Sequence, residues 1–413
     1  MKVGYAVLYI NGTLVISKNH TLLQKSTIKD YGEFEDINVL WKNESRQIKK
    51  IQILNQVKAN CMKEWFKGCI NLTTLIDFKN LDVSDCTDFS YMFYNCQSLQ
   101  NINELQNLDV SDCTDFRGMF EFCKSLQDLN GLSNWNVSNG TDFRAMFKYC
   151  ISLQNINELQ NWNVSNCINF SFMFYYCNSL QNINALKNWD VSDGTNFSFM
   201  FSYCESLQNI DALKNWNVSN CLNFMEMFEC TNIYNISALE NWNVSTAETF
   251  SYMFFDCESL ENIDGVTNWN VSNVTNLNGM FFNCMSLENI DGVTNWNVSN
   301  CKTFSHVFDN CISLENISVL KNWKVSNGLK FSYMFDNCTS LKNTDALKNW
   351  DVSNGEEFCY MFSNCKSLQT ISLPNTLTYL IFSVFFDCNE SLKIHWKNHI
   401  YTYADLMEYG KIF

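Results

Sequence analysis

The stretch that decides the fold is residues 178–204, NSLQNINALKNWDVSDGTNFSFMFSYC. Close copies of it follow one another along most of the chain. With the closing cysteine as marker they end at Cys69, Cys96, Cys123, Cys150, Cys177, Cys204, Cys230, Cys257, Cys284, Cys311, Cys338, Cys365 and Cys388, a step of 27 residues shortened to 26 before Cys230 and to 23 before Cys388. A unit this small cannot bury its own apolar face. Thirteen copies in tandem therefore predict a solenoid in which each coil covers the next.

Within the unit the apolar residues are Leu180, Ile183, Leu186, Trp189 and Val191, then Phe197, Met200, Phe201 and Cys204. The last four fall at i, i+3, i+4 and i+7, which predicts a helix of about two turns started by Thr195 or Asn196. Trp189 and Val191 alternate with Asp190 and Ser192, the rhythm of a short strand. The fold class read from this is an α/β solenoid of about thirteen 27-residue strand-turn-helix coils with small terminal caps. Equivalent residues should stack in columns. Trp135, Trp162, Trp189, Trp216, Trp242, Trp269, Trp296, Trp323 and Trp350 make one. Beside it Asn134, Asn161, Asn188, Asn215, Asn241, Asn268, Asn295, Asn322 and Asn349 are expected to bond the backbone of the adjacent coil.

Outside the repeat the chain changes character. Tyr5–Ile10 and Thr13–Ser17 flank Asn11-Gly12, a hairpin signal. Residues 1–60 are expected to form an N-terminal cap with that β-hairpin, 61–392 the solenoid, and 393–413 a C-terminal cap in which 404–410 close as a helix. Lys63-Glu64-Trp65-Phe66-Lys67-Gly68-Cys69 opens the array, with Trp65 in the methionine place. Coils one and two have Leu81 and Leu108 in place of tryptophan, and the coil ending at Cys230 has lost one residue after Phe228.

The 413 residues carry a net charge of −15, while residues 1–60 hold nine Lys/Arg against five Asp/Glu. An array this acidic repels phosphate backbones, which argues against nucleic acid as partner. There is one proline, Pro374, as suits strands and turns that need their N–H donors. No apolar run is long enough to predict a transmembrane helix, and the first residues run into Asn11-Gly12 without a small-residue cleavage site.

The run Met92-Phe93-Tyr94-Asn95-Cys96-Gln97-Ser98-Leu99, Met-Phe-x-x-Cys-x-Ser-Leu in pattern, resembles the BspA-like leucine-rich-repeat surface proteins. The opening Tyr5–Leu14, the start Glu64–Cys69 and the last coil with Leu373-Pro374 and Phe385–Leu392 look like the same family. The resemblance implies a right-handed leucine-rich-repeat-like array and a role in surface adhesion or protein binding. It suggests the cell surface, although no signal peptide is seen in this sequence.

Thirteen of the 20 cysteines lie in the repeat ladder. Cys86, Cys113, Cys167, Cys221 and Cys301 share a column with Gly140, Gly194, Ala247, Val274, Gly328 and Gly355, so that column selects for small size. Free thiols packed as small hydrophobes fit better than disulfides, because an identical ladder gives each cysteine two equivalent neighbours. The histidines are His20, His306, His395 and His399. Cys388 with His395 and His399 has a zinc-like spacing but lacks a second cysteine, and the acidic column Asp211, Asp264, Asp291 and Asp345 is filled elsewhere by Asn or Ser, so no metal is expected. No catalytic residues and no cofactor are expected either: there is no phosphate loop and no nucleophile elbow, and a repeat duplicates each residue where chemistry needs one irregular site.

The reading is a non-enzymatic module presenting an extended repeat surface to a protein or other cell-surface macromolecule; a structural spacer or an intracellular interaction scaffold is the alternative. Two faces are candidates. After each Met-Phe pair come aromatics, among them Tyr175, Phe255 and Phe282, and one position later Tyr149, Tyr176 and Tyr203. On the other side Gln181, Glu261 and Glu288 belong to a polar, acidic row.

Overall fold

The computed structural model describes residues 2–19, 28–35, 39–409 and 411–412. The chain forms two compact units, Met1–Leu207 and Gln208–Phe413.

In the first unit β1 (Lys2–Tyr9) and β2 (Thr13–Ser17) pair antiparallel across Asn11-Gly12, where Gly12 takes φ 84° and its N–H bonds Tyr9 O at 2.9 Å. β3 (Ile28–Glu35) pairs with β1 on its far side. β4 (Lys50–Leu54) joins β2 in parallel; after β5 (Val57–Lys58) comes β6 (Thr74–Ile76), which completes the order β3-β1-β2-β4-β6, while β5 pairs with β7 (Leu81–Asp82). Trp41 closes this end. It is 2% exposed, packs on Trp65 and Phe66, and donates its indole N–H to Trp65 O at 2.6 Å.

The nine apolar positions of the reference coil are all buried to 4% exposure or less. Their local structure differs from the expectation. The segment Phe197–Cys204 is no helix. It is three overlapping reverse turns, with Met200 N–H on Phe197 O at 3.2 Å, Ser202 on Phe199 at 3.3 Å and Cys204 on Phe201 at 3.1 Å. The intervening N–H groups leave the coil altogether. In the coil before, Phe170, Phe172, Phe174 and Tyr176 donate to Asn196, Ser198, Met200 and Ser202 of the next, at 2.9–3.0 Å. Three such turns carry apolar residues at the same i, i+3, i+4, i+7 places as two helical turns, so spacing alone does not separate them. The energetic difference is that a helix would keep its bonds local and hold neighbours about 8–10 Å apart, whereas this ladder draws coils to roughly strand spacing, about 4.8 Å.

The expected strand has also moved. Among the described residues Trp189–Val191 pairs with no strand, although Leu81–Asp82 at the same place in the first coil pairs with β5; apart from Asn155–Asn182, the isolated parallel bridges lie just before the turns, at Asp88, Asp115, Asp142, Asn169 and Asn196 in the first unit and at Asn223, Thr249, Asn276, Thr303, Lys330 and Glu357 in the second. A short 3-10 helix precedes the tryptophan in each regular coil, for example Asn184–Asn188 and Asp291–Val293. The inter-coil asparagine ladder is real but belongs to other residues. Asn134 and its column are exposed, while Asn139, Asn166, Asn273, Asn300, Asn327 and Asn354 donate to Ser111, Ser138, Ser245, Ser272, Ser299 and Ser326 carbonyls at 2.7–2.8 Å. The reason is position. The turn after Val191 carries the carbonyls left without a coil-internal donor, and only an amide five residues past the first asparagine reaches them.

In the second unit the array ends at β8 (Thr370–Ser372), followed by β9 (Leu380–Ile381), β10 (Lys393–Trp396), β11 (His399–Thr402), α1 (Tyr403–Tyr409) and β12 (Lys411–Ile412). The sheets are β11-β10-β8 and β12-β9. Helix α1 covers the expected 404–409, with Gly410 outside the described residues, and starts at a Thr402/Asp405 capping pair at 2.6–3.2 Å. The shortened coil is corrected too. Thr231, 1% exposed, occupies the ladder place with Oγ1 on Phe228 O at 2.8 Å, while Cys230 sits at φ 51°, half-buried. The missing residue therefore falls after Thr231, in the surface turn.

Each turn segment from Glu64–Gly68 to Tyr360–Asn364 holds two residues at positive φ four apart, as in Phe172 (59°) and Tyr176 (60°), and most are not glycine. An L-residue there costs about 1 kcal/mol relative to glycine. Ala145, at φ 57° and 8% exposed, offers a clean test. Ala145→Gly should raise stability by up to ~1 kcal/mol, against the usual loss for Ala→Gly. Gly118→Ala in the same column should destabilise, since a Cβ would meet a Tyr91 ring carbon at 2.4 Å. Urea midpoints of the two variants check both signs.

Candidate partner-binding faces

In the first unit the turn segments place Tyr149, Tyr176 and Tyr203 on one face, because a positive-φ residue turns its side chain outward, beside its counterpart in the next coil. In the first unit Tyr149, Tyr176 and Tyr203 stack face to face, at 4.8 and 4.2 Å between centroids, and Phe122 extends the row at 4.5 Å. Tyr175 sets its edge against all three tyrosines at 5.1–6.0 Å. The four tyrosines are half-buried, so the structure brings this predicted group together. Their ring faces cover one another; a partner meets edges and hydroxyls.

Sequence reading missed the rest of this face. Phe172 and Phe199 stack at 4.3 Å beside the tyrosines, and Lys148 Nζ lies 5.1–5.9 Å from the ring centres of Phe172, Tyr175 and Tyr149. The same ammonium pairs with Glu121 at 3.3 Å; burial pushes that carboxyl up, and Lys148 opposes the rise. The lysine stands in the Met-Phe-x-x-Cys run where Tyr94 and Tyr175 stand in other coils, which was the available signal.

In the second unit Phe255 and Phe282 are half-buried neighbours at 4.9 Å. His306 stacks between Phe282 and Tyr333 at 5.6 and 4.7 Å and contacts Asp309 Oδ2 through Nδ1 at 2.8 Å. The column that holds tyrosine in the first unit holds amides here: Asn364, Asn337, Asn310 and Asn283 each donate Nδ2 to the previous member, and Asn283 ends on Asp256 Oδ1. Glu261 and Glu288 lie away from the turn face, exposed and joined by Glu288 N–H to Glu261 O at 3.3 Å. The next acid in that row, Glu315, is paired with Lys342.

The family model described as "Mycoplasma protein of unknown function, DUF285" matches residues 17–128, 100–211, 143–266, 179–289 and 258–376. The chain belongs to the DUF285 family. This DUF285 chain also aligns with solved proteins: a leucine-rich repeat protein from Bacteroides ovatus (14% identity, 96% of this chain and 98% of that one, TM-score 0.47), one from Eubacterium ventriosum (15%, 93% and 92%, 0.39), and a leucine rich cell surface protein from Faecalibacterium prausnitzii (16%, 97% and 95%, 0.38). No curated protein matches it. The family match covers the Met-Phe-x-x-Cys-x-Ser-Leu copies on which the BspA-like resemblance rests.

Among the described residues no three His, Cys, Asp or Glu side chains gather to hold a metal ion, and no helix is long and apolar enough to cross a membrane; His20 lies outside them. The column Asp211, Asp264, Asp291 and Asp345 opens the 3-10 helices. In the irregular coil burial, then the adjacent Glu229 carboxyl, push Glu226 up to about 8.

Most ladder thiols of this DUF285 chain donate to a phenylalanine carbonyl of the previous coil, as Cys123, Cys204, Cys284 and Cys338 do at 3.1–3.3 Å. Burial pushes Cys257 and Cys301 up to about 12 and others higher. Of the 20 cysteines only Cys61, Cys230 and Cys359 are not buried. Three thiols should therefore react quickly with a thiol reagent in the reduced native protein and the remainder only on unfolding. A raised thiol pKa stabilises the fold fully below the unfolded value, near ~8.5, and the benefit disappears as pH climbs through the folded values. Melting temperature should thus drop steeply above about pH 9, beyond the gentler decline below about pH 8 that the raised Glu226 carboxyl contributes.

Proposed function

We propose that this chain is a non-enzymatic binding module that presents the turn face around Tyr149, Tyr175, Tyr176 and Tyr203 to a protein at a cell surface. The observation that carries the reading is the exchange within one column. Asn95 in the first unit and Asn283, Asn310, Asn337 and Asn364 in the second adopt the same positive φ as Tyr149, Tyr176 and Tyr203. Asparagine is the non-glycine residue that tolerates this conformation best, so the fold does not call for tyrosine there. Tyrosine is instead the residue interfaces favour, with a large, rigid contact area and a polar tip. The row also crosses several coils, as a long shallow repeat surface does. Resemblance to surface leucine-rich-repeat proteins supports the location and the absence of catalysis. Caps at 1–60 and 393–413 and a right-handed winding of 61–392 belong to the same proposal.

The test uses the column's own alternative. Tyr149→Asn, Tyr176→Asn and Tyr203→Asn together should leave the fold intact, with a melting temperature within a few degrees. Affinity for the surface protein retained by the unmodified chain should fall at least about tenfold. Retained affinity would sink the turn face; if Glu261→Lys with Glu288→Lys then removes binding, and high salt does the same, the acidic row is the contact. A chain that retains nothing from surface extracts is a spacer.

A further inference from the structure

The tight turn between β10 and β11 builds a cleft unrelated to either face. Lys397 and Asn398 both take positive φ, 46° and 64°, the pair a two-residue hairpin turn requires. That geometry sets Trp396 across from His399, with His395 next along the strand opposite Ile400. Lys348, from the last regular coil, completes a cleft of about 320 Å³ in which Lys348, Lys397, His395 and His399 are the ionisable lining groups. No Asp or Glu lines it, in a chain where acids outnumber bases 43 to 28.

Three observations bear on what enters. Lys348 and Lys397 form no ion pair among the described residues, whereas Lys330, Lys342 and Lys366 of the same unit pair with Glu357, Glu315 and Asp387. The Lys397 ammonium is held 4.2 Å over the Trp396 ring, which fixes its place on the wall. Trp396 itself is 2% exposed, and its indole N–H has no acceptor. A buried donor without a partner is rare and unfavourable; this one has almost no accessible surface, so an acceptor from the cleft reaches it only if the wall shifts. Asn375 and Asn398 add neutral amides to the lining. Asp345, the acid beside this end, is engaged by Ser372 Oγ at 2.9 Å.

From this we infer that the cleft is a binding site for a tetrahedral dianion, inorganic phosphate or the phosphate monoester of a molecule no larger than a monosaccharide. Two unpaired ammonium groups match a double negative charge better than a single carboxylate, and the donors around them suit an acceptor-only group. The volume lies at the small end of ligand pockets, about 300–1,000 Å³, which leaves room for one sugar ring behind the phosphate. His399 Nδ1–H is spent on Lys397 O at 2.9 Å, which leaves Nε2 as the ring's other hydrogen-bonding atom.

Titration of the full chain with inorganic phosphate, glucose 6-phosphate and glucose, followed by calorimetry and by the Trp396 indole N–H resonance, tests this. The resonance is assigned by its absence in Trp396→Phe. Phosphate and glucose 6-phosphate should bind and shift that resonance, and glucose should do neither. Tighter binding of the ester assigns the monoester, and equal binding assigns the free ion. Lys348→Gln with Lys397→Gln should weaken binding about tenfold or more, while Lys342→Gln, an exposed lysine elsewhere in the unit, should leave it unchanged. The proposal is overturned if glucose binds as well as its phosphate, if no probe binds, or if the double variant keeps full affinity with an unchanged melting curve.

Discussion

Along the turn face, alternate backbone N–H groups have no partner within their own coil and reach across to the next one, as Phe170, Phe172, Phe174 and Tyr176 reach Asn196 to Ser202. From this division of donors the rest follows. Bonds of about 3 Å running from coil to coil fix the stacking distance, and side chains at equivalent positions are then brought into van der Waals contact. Phe147, Phe174 and Phe201 stack at 5.6 and 5.7 Å within about 7° of parallel. A column tolerates only residues that fit that pitch, so the core repeats as rigidly as the backbone does. The same ladder includes non-glycine residues at positive φ, since Phe172 and Tyr176 are among its donors.

Side chains supply what the backbone ladder leaves over. Trp135, Trp162 and Trp189 donate their indole N–H to Leu105, Leu132 and Leu159 carbonyls at 2.9–3.2 Å, and Trp269, Trp296 and Trp323 do the same in the second unit at 2.9–3.1 Å. The ladder cysteines treat phenylalanine carbonyls likewise. Both residue types are apolar bodies carrying one weak or single donor, which is the combination a buried carbonyl beside a close-packed column needs. Thr231, small and with a hydroxyl, takes a cysteine's place, although its Oγ1 donates to Phe228 O of its own coil.

The period, the buried columns, the small-residue column and the hairpin were legible in the sequence, because burial and turn chemistry leave direct marks on composition. Local conformation was not, since an i, i+3, i+4, i+7 pattern states only which residues face inward. The discriminating signal lay on the outward positions. Gly68, Gly118 and Gly279, with Asn95, Asn283, Asn310, Asn337 and Asn364, recur at fixed places inside the supposed helix, where a helix would disfavour them and a left-handed residue welcomes them. The tyrosine row was visible as a list of residues, but its face-to-face stacking depends on the coil spacing, which the helix reading set too wide. The cleft at the last hairpin drew on residues far apart in sequence, Lys348 and Lys397, and no spacing announces that meeting.

The amide row from Asn364 to Asn283 has a direction. Every member donates the same way, so the side-chain dipoles add instead of cancelling, and each bond polarises the next. Such a row carries partial positive charge at its donor-bearing end and would be left there without an acceptor. Asp256 stands at that end, its Oδ1 taking the Asn283 amide while its Oδ2 accepts from Cys230 Sγ at 3.4 Å. A carboxylate closing a line of aligned amides is the side-chain counterpart of an anion at a helix amino terminus. On this view the column has a beginning and an end set by electrostatics, and extending the amides one coil further back would need the acid to move with them.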